Sequence, residues 1–146
     1  MIGNGQSAGM ITELGGFAVS LINATGAPTV KGYLAAASPS VDKAVELCQI
    51  DIPECFGVFL HSGVEVGARA WVVMAGLAEV YYSGAVNRDW LAASPLSTDS
   101  VPVTGQANAI PFPSPPFSTD KHFAEIGHVL QSIGSAGLAV TLLHFN

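Results

Sequence analysis

The sequence predicts an all-β chain folded as one compact antiparallel barrel or sandwich, and three observations carry that expectation. Phe17, Val19 and Leu21 alternate with Ala18, Ser20 and Ile22, the two-residue period of a strand. Trp71, Val72, Val73 and Met74 are apolar in succession, which suits a strand covered on both faces. Finally, Phe56-Gly57-Val58-Phe59-Leu60-His61-Ser62 matches Ile126-Gly127-His128-Val129-Leu130-Gln131-Ser132. Each copy leads into a Gly-bounded turn and then an apolar strand, so two similar hairpins are expected around a shared core.

In chain order, residues 1–16 read as an extended N-terminal arm, Gly-rich and without periodicity, whose one acid is Glu13. Alone in water such a segment stays disordered. Its Met1, Ile2, Met10, Ile11 and Leu14 suit the surface of a neighbouring subunit. Residues 17–146 read as a single β domain, with strands at 17–22 and 29–36. Segment 41–50 fits a helical stripe (Val41, Ala44, Val45, Cys48) behind a Ser40 cap, and equally a strand through Ala44, Glu46, Cys48 and Ile50. Strands follow at 56–61, 69–75 and 77–82, with Gly76 as the break between the last two. From Gly84 to about Asp120 the chain reads as irregular. The Pro-rich loop at about 94–120 contains Pro95, Pro102, Pro111, Pro113, Pro115 and Pro116, none of which donates a ladder hydrogen bond. Phe112 and Phe117 ride on this stiff backbone, placed to dock on another subunit.

Charge is scarce. Lys, Arg, Asp and Glu make up 11% of 146 residues against 49% hydrophobic, and mean hydropathy is +0.45; ordinary domains carry about 25% charged residues. Yet no apolar run approaches the roughly 20 residues of a membrane-spanning helix. A surface so poor in charge suits coverage by another copy or a partner. The net charge is −6 and the five basic residues, Lys31, Lys43, Arg69, Arg88 and Lys121, are nowhere adjacent. Duplex nucleic acid and anionic membranes both call for basic clusters, so neither is an expected partner. Two cysteines, Cys48 and Cys55, make no disulfide framework and read as buried free thiols. No basic segment precedes an apolar stretch, so no secretory signal is expected. Asn23-Ala24-Thr25 is then a sequon by chance.

Motifs for chemistry are weak. Gly5-Gln6-Ser7-Ala8-Gly9 has the spacing of a hydrolase nucleophile elbow but no strand before it. His122, Glu125 and His128 would share a helical face; on a strand, Glu125 points away from both histidines, and a zinc site wants about four converging ligands. The acids are scattered beside turns, and no phosphate or dinucleotide loop is present. The expectation is therefore no enzyme: no catalytic residue, no cofactor and no metal.

From about Lys31 onward the order of signals resembles the decoration, or cement, proteins of tailed-bacteriophage heads. The resemblance rests on Phe56-Gly57-Val58-Phe59 before Ser62-Gly63, and on Ala70-Trp71-Val72-Val73 before Gly76-Leu77-Ala78-Glu79-Val80. It continues through His122-Phe123-Ala124-Glu125-Ile126-Gly127-His128-Val129-Leu130 and the terminal Leu142-Leu143-His144-Phe145-Asn146. It implies a β-tulip-like domain that forms homotrimers near capsid three-fold or quasi-three-fold positions. There it would bind the major capsid protein on the outside of the virion after assembly in the host cytoplasm. The expected contact residues are Met10, Ile11, Leu14, Phe112, Phe117 and Trp90. A tail or head-fibre subunit is the nearest alternative. A carbohydrate-binding β-sandwich, stacking sugars on Trp71, Trp90, Tyr81 and Tyr82, is the alternative from another class.

Overall fold

The computed structural model describes residues 9–52, 54–99, 101–111 and 123–145. Its named elements are all strands: β1 (Gly9–Ile11), β2 (Gly16–Asn23), β3 (Leu34–Ala37), β4 (Ala44–Leu47), β5 (Cys55–Phe59), β6 (Arg69–Tyr82), β7 (Leu91–Ala93), β8 (Asn108–Ile110), β9 (Glu125–Val129) and β10 (Gly137–His144). They form one ten-stranded sheet in the order β1-β2-β4-β3-β5-β6-β10-β9-β7-β8, and a further β2–β6 pairing closes five strands into a ring. The sheet is mixed rather than antiparallel, because β2 and β4 run parallel through Ile22↔Ala44 and Asn23↔Val45. A closed ring with an odd number of strands cannot alternate direction all the way round. One parallel pair is the topological consequence.

Several sequence expectations are corrected. Residues 9–11 of the expected arm form β1, which pairs with β2 from Gly9↔Val19 to Ile11↔Phe17, and Met10 packs on the main core. Within the ambiguous 41–50 segment Ala44–Leu47 is a strand, paired with β2 on one side and β3 on the other, and adjacent Ala44 and Val45 are both buried. Gly76 does not break β6. It adopts φ 81° so that the chain passes Gly15, where a Cβ would lie 2.7 Å from the Gly15 carbonyl oxygen. The proline-rich region is not all loop, because β8 pairs with β7 inside it. Phe112 and Phe117 lie outside the described residues.

β2 buries the opposite side from the one its side-chain sizes suggest. Ala18 and Ser20 face inward, whereas Phe17 is exposed and Val19 and Leu21 are half-buried. Only small side chains fit where β2 crosses β6 to close the ring. The main core joins Leu34, Val58, Val73, Val80, Tyr82, Ile126, Val129 and Leu143. A second cluster, Ala35, Val45, Phe59, Ala70 and Val72, lies on the other side of β5 and β6. Neighbouring Val72 and Val73 thus serve different cores, which is why this stretch is apolar at every position.

The internal repeat extends further than the hairpins. Leu34-Ala35-Ala36 and Leu91-Ala92-Ala93 occupy matching places beside the repeated strands. β3 meets β5 through Leu34↔Val58, Ala35↔Gly57 and Ala36↔Cys55, and β7 meets β9 through Leu91↔His128, Ala92↔Gly127 and Ala93↔Glu125. The register slips at the same step in both copies. The repeated glycine is required by space: a Cβ on Gly57 would collide with the Val72 side chain, and one on Gly127 with the Leu142 carbonyl oxygen.

Candidate interaction face and donor cluster

The outer side of β6, β10 and β9 is the most distinctive surface of the molecule. Strand register sets Phe17 beside Ala75 and Ala75 beside His144, then Leu77 beside Leu142 and Leu142 beside His128. Side chains of cross-strand partners emerge on the same face. Ile11 and Leu14 reach this face through a groove of about 690 Å³ that they line with Leu77, Met10 and the ion-paired Lys31 and Glu79. Ile11 is 72% exposed, Phe17 45%, and Leu14 and Leu142 each 41%. The patch therefore runs from the edge strand β1 across to the last strand.

Ile11 and Leu14, expected as partner contacts, are both exposed. Met10 is half-buried against the main core and anchors β1. Trp90 is no exposed platform: it packs on the same core, and its carbonyl oxygen accepts from the Val129 amide at 2.9 Å. Trp71 is also partly buried there. The face contributed by Phe17, Leu77 and Leu142 was missed, because β2 buries the unexpected side and because the β6–β10 pairing joins residues distant in sequence. The signal was present in β10, where Leu138, Val140, Leu142 and His144 alternate with Ala139, Thr141 and Leu143.

At one end of this face stand Glu125, His128 and His144. Regular alternation along β9 would turn Glu125 inward with Gly127 and Val129. The register slip between Ala92 and Ala93 prevents it, leaving Ile126 as the additional residue, and Ile126 and Val129 both enter the main core although they are three apart. Glu125 then shares a side with His128. Its Oε1 lies 3.5 Å from His144 Nε2 and 4.0 Å from His128 Nε2. The two imidazole rings are 4.8 Å apart, centre to centre, and tilted by 46°. The expectation that Glu125 faces away from His128 is thus overturned by the bulge. His144, brought in by the β9–β10 pairing, completes the group, and His122 lies outside the described residues.

Both cysteines are free and buried in the main core; the hydrogen bond that the Cys55 thiol shares with Cys48, and burial, hold Cys55 protonated far above the ordinary thiol range. Gly5-Gln6-Ser7-Ala8 falls outside the described residues. No helix among the described residues is long and apolar enough to cross a membrane. In comparison with known proteins, the chain matches no protein-family model and no curated sequence.

Proposed function

We propose that the chain is a structural virion protein, a decoration subunit that binds the outside of an expanded tailed-phage capsid and stabilises it. In this reading the five-strand ring with its β10-β9-β7-β8 extension is a β-tulip-like barrel body. It assembles as homotrimers at three-fold or quasi-three-fold positions of the major capsid protein lattice. The observation that supports it best is the apolar face of exposed Ile11, Leu14, Phe17 and Leu142 around half-buried Leu77 on a chain with only 11% charged residues. An apolar surface of this kind costs free energy when left in water, and covering it is favourable by about 25 cal/mol for each Å².

Stabilisation follows from linkage. A ligand that binds only the expanded lattice stabilises it by RT ln(1 + [L]/Kd) per site, and three linked copies turn modest contacts into avidity. The test is sedimentation of purified protein with undecorated expanded capsids and with unexpanded shells. Saturable binding to expanded particles alone, at a multiple of three copies per site, is the expected result. Binding to neither particle contradicts the decoration reading and favours the tail or head-fibre alternative. The glycan-binding alternative has less support, since Trp71 and Trp90 both pack on the core.

A further inference from the structure

We propose that Glu125, His128 and His144 form a binding site for a divalent transition metal, with zinc the ion it fits best. Two imidazole nitrogens and one carboxylate oxygen are a donor set that zinc accepts with its fourth position left to water. The three ligand atoms already lie within 4.8 Å of one another. Around a tetrahedral zinc, donors at about 2.0–2.2 Å from the metal stand about 3.3 Å apart. The group therefore needs to contract by no more than about 1.5 Å, and the 3.5 Å separation of Glu125 from His144 is nearly there. The histidine side chains are 45% and 44% exposed, so their rings are free to turn inward and solvent reaches the open position.

The repeat shows that the scaffold does not itself call for these donors. In the first copy the positions equivalent to Glu125 and His128 are Cys55 and Val58, fixed by the shared register with the Leu-Ala-Ala strands. The position equivalent to His144 is Ala75, because Val58↔Val73 corresponds to His128↔Leu142 and Ala75 lies two residues beyond Val73. The same backbone, slipped at the same step, carries an apolar trio in one copy and three ligands in the other. The ligands also come from both sides of a strand pair: two from β9 and one from the end of β10. A bound ion would therefore fix the terminal strand to its neighbour.

The experiment is titration of purified, chelator-treated protein with Zn²⁺ by calorimetry, with the metal content of dialysed protein measured in parallel. One ion per chain is expected, together with a melting temperature that rises with Zn²⁺ and falls back with EDTA. Loss of a group that merely supports a ligand costs about 10–100-fold in affinity. His128→Ala and His144→Ala should therefore each weaken binding by about 100-fold or more. Glu125→Gln should also weaken it, while His61→Ala, on an exposed residue away from the group, should leave it unchanged. Substitution by Co²⁺ should give the visible spectrum of a low-coordinate site. No stoichiometric binding by the wild type, or binding that survives loss of both His128 and His144, would overturn the assignment.

Discussion

Asn23 illustrates how single residues secure the ring. It is fully buried, its Nδ2 donates to the Ala27 and Val64 carbonyl oxygens at 2.8 and 2.9 Å, and its Oδ1 accepts from the Thr25 amide and hydroxyl. The side chain forms an Asx turn where the parallel β2–β4 pair ends. Asn23→Ala would leave several of these groups unpaired and should cost about 2–4 kcal/mol, read from urea unfolding. Its use as a structural amide also leaves no nitrogen free for a glycan, so the sequon has a physical explanation as well as a statistical one. Tyr82 is the second case. Its hydroxyl shares a hydrogen bond with Thr141 Oγ1 at 2.7 Å, and Thr141 Oγ1 also lies 3.2 Å from the Ala139 carbonyl oxygen. Tyr82→Phe keeps the second bond and should cost about 1 kcal/mol. Burial raises the Tyr82 phenol, with the Thr141 bond opposing it only in part. A group raised on folding contributes fully below its ordinary value, about 10, and that contribution is lost as pH rises towards the folded value. The wild type should therefore lose stability above about pH 10, and Tyr82→Phe should lose less over the same range.

Among the elements, the bulged β9 has the greatest consequence, because one slip of register decides which side Glu125 occupies. Gly127 enforces the close approach of β9 to β10. Gly127→Ala should cost more than about 2 kcal/mol, since the obstacle is backbone and cannot rotate aside. Gly84→Ala, with nothing within 4 Å of its Cβ position, should change stability by less than about 0.5 kcal/mol. Thermal melts of the two variants compare them directly, and equal melting temperatures would refute the steric account. Strand existence was legible from alternation in β2 and from apolar runs in β5, β6 and β10. What hid the rest was long-range: β1, β7 and β8 are three residues each, too short to show a period, and are strands only because neighbours supply their hydrogen bonds. The donor cluster was hidden for the same reason. Sequence spacing linked Glu125 to His128, but a bulge cannot be read from an isolated strand, and His144 arrives through a β9–β10 pairing that joins residues 12 to 16 positions apart.

For the whole molecule, the charge-poor composition and the closed ring point the same way. A ring protects its five strands from edge-to-edge pairing, leaving β1 and β8 as the edges of the described sheet. Exposed Ile11 and Leu14 gather beside β1, lining one groove with half-buried Leu77. The expected role of the arm thus becomes narrower: residues 9–11 belong to the fold, so removal of residues 1–14 would take a strand with it. A cleaner test changes side chains and leaves the backbone in place. The measurement that bears most directly on the central claim is the saturation occupancy of expanded capsids by wild type, by Ile11→Glu/Leu142→Glu, and by Val66→Glu. Val66 is 53% exposed in the turn before β6 and serves as the control for an apolar residue off the face. Wild type and Val66→Glu should fill the particles alike, while the double variant, equally folded by circular dichroism, should fall at least about tenfold in affinity, or 1.4 kcal/mol. Equal occupancy by all three would contradict the assignment of this face as the docking surface.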